Sequence, residues 1–154
     1  MEGYLNNQRF YLLVEPEDFD LALSVYDRMR ENRKAYGAGL INTGKLEKYD
    51  EVPADSLAEV VTSANIWVKR YVNMVLGKVH MCQKYQDLKQ YPVAITRQCM
   101  RYQNHVVSAI KPEVYETPYI GTHAYLRQLE QCRRQQKTLQ EQESALKSRI
   151  GQLD

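Results

Sequence analysis

The residues of this sequence with the side chains for chemistry are few and scattered. His80, His105 and His123, joined by Cys82 or Cys99, have the ligand types of a zinc site. Their separations match none of the compact Cys and His spacings that hold that ion. Glu15, Glu17, Asp18 and Asp20 supply the oxygens a divalent cation needs, but they stand where a helix is predicted to begin, and carboxylates complement the positive end of a helix dipole. No phosphate loop, dinucleotide fingerprint, nucleophile elbow or H-E-x-x-H pair occurs, so nucleotide hydrolysis, dinucleotide chemistry, α/β-hydrolase and zincin readings lose their simplest support. The sequence thus predicts no catalytic residue, no metal and no cofactor.

What remains is charge. Residues 1–60 hold seven Lys/Arg against twelve Asp/Glu, a balance of −5, whereas residues 61–111 hold eight Lys/Arg against Asp87 alone, a balance of +7. From the basic segment Lys69, Arg70, Lys78, Arg97 and Arg101 are the candidate DNA-binding residues, since basic side chains bind phosphates without reading sequence. The same charges also suit a solvated face, or an acidic segment on a second copy. The twelve tyrosines serve either base stacking or protein interfaces.

The elements that must position these groups read as strand, helix, strand, twice over. Arg9–Val14 is a short apolar and β-branched run ended by Glu15-Pro16, the profile of a buried strand. Pro16 suits a first helical turn, after which Phe19, Ala22, Leu23, Tyr26 and Met29 recur at helical spacing, with Arg28, Arg30, Arg33 and Lys34 toward the end. Gly37 and Gly39 lead into a second strand at Leu40-Ile41. In the second half, Asp55 or Ser56 caps a short segment, and a helix from Ala64 carries Val68, Tyr71, Val72, Val75 and Leu76 to Gly77. Strands follow at Val79–Cys82 and Val93–Arg97, separated by barely more than one helical turn at Tyr85–Gln90. Met100–Pro118 reads as irregular, because Pro112 and Pro118 prevent a continuous helix. The fold class is therefore α/β or α+β, with parallel strands within each half.

Beyond residue 118 the pattern changes to heptads. Tyr125, Cys132, Leu139, Leu146 and Leu153 fall at d, and Leu129 and Ile150 at a, while Thr122, Gln136 and Glu143 are polar a positions. A lone helix over Thr122–Asp154, about 50 Å long, is marginal in water. It calls for a partner helix that the rest of the chain does not supply, unless it folds back on its own domain. The predicted division is a globular domain at 9–118 and a coiled-coil helix at 119–154.

The order of these parts resembles the hinge domain of SMC proteins. A strand and an acidic helix lead to a strand, and the passage AEVVTSANIWVKRYVNMVLGKV then places Leu76-Gly77 where a helix delivers the next strand. Val93–Arg97 takes the place of the late strand, and Tyr119-Ile120-Gly121 leads into the outgoing arm. The stretch PEVYETPYIGTHAYLRQLEQ is similar to the hinge exit of the MukB-like SMC relatives, including the SMC-like subunit of bacterial Wadjet anti-plasmid systems. The resemblance covers most of residues 10–140 and rests on apolar and glycine positions. One departure is plain: SMC hinges carry glycine-rich strands at their dimer contact, whereas Tyr102–Ile110 contains no glycine.

The resemblance implies a small two-lobed hinge, a homodimer at the tip of an antiparallel coiled coil whose incoming arm is missing from this fragment. It would belong to a chromosome-organising or plasmid-defence ATPase and catalyse nothing itself, with possible contact to DNA. A stand-alone nucleic-acid-binding adaptor and a small α/β enzyme are the alternatives. No run approaches 18 apolar residues, no signal peptide is recognisable, and the odd, unspaced cysteines suit reduced thiols. A cytoplasmic location without membrane contact is expected.

Overall fold

The computed structural model describes residues 1–32 and 36–151. The chain divides into two compact units, Met1–Lys111 and Pro112–Asp154. Together they form a mixed α/β structure with two small sheets and a long C-terminal helix. No described helix is long and apolar enough to cross a membrane.

In the first unit a short helix α1 (Glu2–Leu5) runs into a 3-10 segment over Asn6–Phe10, and Leu5 is buried. Strand β1 spans Leu12–Val14, shorter than the predicted Arg9–Val14. Arg9 is drawn instead toward α1 by an ion pair of 3.4 Å to Glu2. After Pro16 comes helix α2 (Phe19–Glu31), then β2 (Leu40–Asn42), which pairs in parallel with β1, Leu12 opposite Leu40. The Thr43 hydroxyl donates to the Val14 carbonyl and ties the end of β2 to β1.

Helix α2 forms where its spacing predicts but is not a core helix. None of its residues is buried; Phe19, Ala22 and Tyr26 are half-buried, whereas Leu23 and Met29 are exposed, as are Leu21 and Val25. A helix beside a sheet of only two short strands finds too little surface to cover a full apolar stripe. Of the cations expected at its end, Arg28 and Arg30 lie in the last turn; Arg33 and Lys34 lie outside the described residues.

Helix α3 spans Ile66–Leu76. It starts two residues later than Ala64 because the Asn65 side chain accepts from the Trp67 and Val68 amides, at 2.8 and 3.2 Å, satisfying two otherwise orphaned donors. Tyr71, Val72 and Leu76 are buried and Val68 and Val75 half-buried, the face the spacing selects. At Gly77 a Cβ would collide with the Asn73 carbonyl and lie 2.8 Å from the Pro53 ring, so glycine lets the Pro53 loop close on the helix end.

Strands β3 (His80–Cys82) and β4 (Val93–Thr96) pair in parallel around a 3-10 segment at Tyr85–Gln90, as expected. The region read as irregular holds two further strands, β5 (Met100–Gln103) and β6 (Val106–Ala109), which form an antiparallel hairpin. Its turn residues, Asn104 and His105, have φ of 53° and 63°. Positive φ at both positions is the mirror-image turn whose twist matches paired strands. The sheet order is β3-β4-β5-β6. The core lies beneath it, with Leu76, Val79, Leu88 and Ala94 almost fully enclosed.

In the second unit helix α4 spans Ala124–Ile150. It begins after Thr122, behind Gly121 at φ 104°. Arg127 donates to the Ile120 carbonyl at 2.8 Å and Gln128 to the Pro118 carbonyl, clamping the entry segment to the first turns.

Candidate functional site

The five predicted DNA-binding residues sit on several elements of the first unit and differ in what they touch. Arg70, on α3, is bound to Asp50 at 2.6 Å and its guanidinium lies 4.8 Å from the centre of the Trp67 ring. Trp67 in turn donates its indole N–H to Glu15 at 2.7 Å. Hydrogen bonding to Arg70 holds the Asp50 carboxyl below the usual range, and the Arg70 guanidinium is correspondingly raised. Arg101, on β5, donates to the Ser108 hydroxyl at 3.3 Å. Lys69 and Lys78 are exposed on α3 and just before β3, and Arg97 is exposed in the turn after β4. The side chains of these three have no ion-pair or hydrogen-bond partner among the described residues.

The Arg70–Asp50 and Trp67–Glu15 contacts also change the meaning of the charge segregation. Both link the acidic 1–60 segment to the basic 61–111 segment within one copy. Part of the complementarity visible along the sequence is therefore satisfied inside the first unit.

Among the described residues no group of three or more His, Cys, Asp or Glu side chains lies together. His80 stacks on Tyr91 at 3.5 Å between ring centres, His105 is a turn residue, and His123 precedes α4. Burial raises the Cys82 thiol pKa, with Asp87 adding to it, so Cys82 stays a protonated packing group at neutral pH. Cys99 is half-buried and Cys132 exposed. Of the acidic group, Glu15 serves Trp67, and Glu17 and Asp18 occupy the turn that leads into α2.

Two apolar features stand uncovered among the described residues, a sheet edge and a helix face. One edge of the larger sheet is covered: the Leu57 amide donates to the Val79 carbonyl at 2.7 Å, and Ser56 bridges to His80 of β3. On the other edge, no described strand pairs with the outer side of β6. Val106 and Val107 are 60% and 55% exposed. Consecutive strand residues point to opposite faces, so β6 is bare on both. It carries no charge and no proline, the devices that usually protect an edge.

The hairpin fixes which groups face outward. A two-residue turn makes Gln103 and Val106 a hydrogen-bonded pair, and the Ile110 amide donates to Cys99 at 3.0 Å. Antiparallel ladders alternate, so Val107 and Ala109 turn their N–H and C=O groups away from β5. Sequence reasoning missed this edge because Asn-His lacks the glycine that marks such turns.

The second such feature is α4. Tyr125, Leu129, Cys132, Leu139, Leu146 and Ile150 all lie in the helix and all are exposed; Leu153 lies outside the described residues. Its support comes from ion pairs one turn apart, Glu130–Arg134 at 3.7 Å, Lys137–Glu141 at 3.9 Å and Glu143–Lys147 at 2.6 Å. Such exposed pairs contribute only about 0.3–0.5 kcal/mol each. Comparison with protein-family models, with curated proteins and with solved structures finds no match to this chain.

Proposed function

We propose that this chain is a dimerisation hinge of the SMC type, in which two copies of the first unit join and each α4 serves as one strand of a coiled-coil arm. The observation that carries this reading is the open β6 edge, apolar and uncharged on a sheet whose opposite edge is covered. Antiparallel pairing of β6 with a second β6 about a two-fold axis is self-complementary, because each copy offers the same outward groups. The exposed Leu129, Leu139, Leu146 and Ile150 seam then belongs to an arm helix paired with another helix. In this reading the chain has no reaction of its own; it joins arms of a chromosome-organising or plasmid-defence ATPase whose ATP-binding heads lie in other sequence.

A truncation ending at Gly121 is expected to remain dimeric by light scattering at micromolar concentration. A monomeric truncation beside a dimeric full chain would make α4 the oligomeriser and end the hinge reading.

Contact with DNA enters this proposal through Lys69, Lys78 and Arg97, the three of the five predicted residues that are exposed and have no side-chain partner among the described residues. Reversing all three to Glu is expected to weaken retention of unrelated duplexes alike and to reduce the salt slope by about 3, near one per lost phosphate contact. An unchanged slope would remove DNA from the reading. Arg70 is a poor position for this test, since its reversal also breaks the Asp50 and Trp67 contacts.

A further inference from the structure

A cleft of about 490 Å³ opens beside β2 and α3 in the first unit, within the size range of small-ligand sites. Its wall includes Ile41 and Leu46, both buried, together with Met74 and Val75. Three tyrosines, Tyr11, Tyr49 and Tyr71, and two lysines, Lys45 and Lys48, share it. Gly39 is part of the arrangement: a Cβ there would sit 2.6 Å from the Tyr11 ring, so glycine lets that ring lie flat against the backbone.

Tyr71 is the informative member. It is 8% exposed, yet its hydroxyl has no hydrogen-bond partner among the described residues. The hydroxyl is not enclosed as the ring is: it reaches the open cleft, where solvent or a ligand can meet it. Burial, with Tyr11 nearby, pushes its pKa up to about 12; it is therefore a proton donor at any physiological pH. The lysines are likewise uncommitted. Lys48 lies 5.2 Å from the centre of the Tyr49 ring, and neither lysine has an ion pair among the described residues. Glu47, between them in sequence, acts on Arg70 and does not line the cleft.

The cleft thus offers two positive charges and hydroxyl donors over an apolar wall. A carboxylate balances one of those charges, whereas a phosphate monoester carries close to two and has three terminal acceptor oxygens. We propose that this cleft binds an organic phosphate monoester, either a free nucleotide or the 5′-phosphorylated end of a nucleic-acid strand, with Lys45, Lys48 and the Tyr71 hydroxyl on the phosphate and Met74 and Val75 against the organic body.

The test is an NMR titration of the full chain with adenosine monophosphate, adenosine, and a short single strand with and without a 5′-phosphate. The monophosphate is expected to shift amides around Lys45–Tyr49 and Tyr71–Val75, and adenosine to bind at least about tenfold more weakly. Lys45→Glu with Lys48→Glu removes binding. Tyr71→Phe weakens it about tenfold while leaving the melting temperature of the free protein unchanged, because the hydroxyl has no intramolecular hydrogen bond to lose. A phosphorylated strand that displaces the monophosphate identifies a strand end as the ligand, and failure to displace it identifies the free nucleotide. Absence of shifts with the monophosphate and the phosphorylated strand, equal binding of adenosine, or indifference to the lysine reversals would overturn the assignment.

Discussion

Val107→Pro is expected to weaken self-association about a hundredfold while leaving the fold of each copy intact. Val107 is predicted to turn its N–H outward from the β5–β6 hairpin, so proline there removes no bond of the hairpin itself, and proline is tolerated on edge strands for that reason. In a two-fold pairing of β6 with β6, Val107 of one copy faces Ala109 of the other, and the substitution acts twice. Losing two backbone hydrogen bonds at about 1–1.5 kcal/mol each amounts to roughly two decades in dissociation constant. Sedimentation equilibrium reads the constant, and circular dichroism checks that the hairpin survives. A dimer as tight as the unsubstituted one would move the contact elsewhere, the exposed Leu21 and Val25 face of α2 being the next surface to test. Val107→Lys keeps the amide and adds a charge at the edge, so it separates the backbone contribution from the apolar one.

The second large effect is on stability. Leu76, at the end of α3, is 0% exposed, and Gly77 and Pro53 close directly behind it. Leu76→Ala removes its buried methyl groups and leaves a cavity that the tightly packed helix end has little freedom to collapse. A loss of about 3 kcal/mol is expected, a large share of what holds a domain of this size together. Urea denaturation should show a lower midpoint with an unchanged slope. A shift below about 1 kcal/mol would mean that the helix end relaxes into the space, and that the Gly77–Pro53 closure is looser than its geometry implies.

The parts of the fold legible in the sequence are those fixed by local pattern. Both parallel pairs, the turn at Tyr85–Gln90 and the buried face of α3 follow from periodicity and from Gly77 and Pro92. The β5–β6 hairpin does not, because a mirror-image turn built from Asn104 and His105 has no glycine to announce it, and the Val106-Val107 run is too short to declare a strand. The exposure of α2 was equally hidden. Helical spacing selects which residues share a face; it says nothing of whether the neighbouring sheet is broad enough to cover that face. Charge read along the sequence hides its partners in a similar way: Arg70 is paired with Asp50, twenty residues earlier, a contact that no local pattern announces. The tyrosine cleft was invisible, since Tyr11, Tyr49 and Tyr71 converge only after β1, the loop beyond β2 and α3 come together.

The network around Trp67 also gives the molecule a built-in optical probe. Trp67 is the one tryptophan of the sequence, and its indole is held between the Arg70 guanidinium and the Glu15 carboxylate, a polar setting whose loss changes both its emission colour and its quenching. Its fluorescence therefore reports on the first unit alone, where α3 meets the loop after β1. Far-ultraviolet dichroism, by contrast, is weighted toward the 27 residues of α4. The two signals look at different units of one chain, so their melting curves need not coincide. Where they diverge, a single unfolding free energy no longer describes the molecule, and the gap between them measures how far α4 melts independently of the first unit.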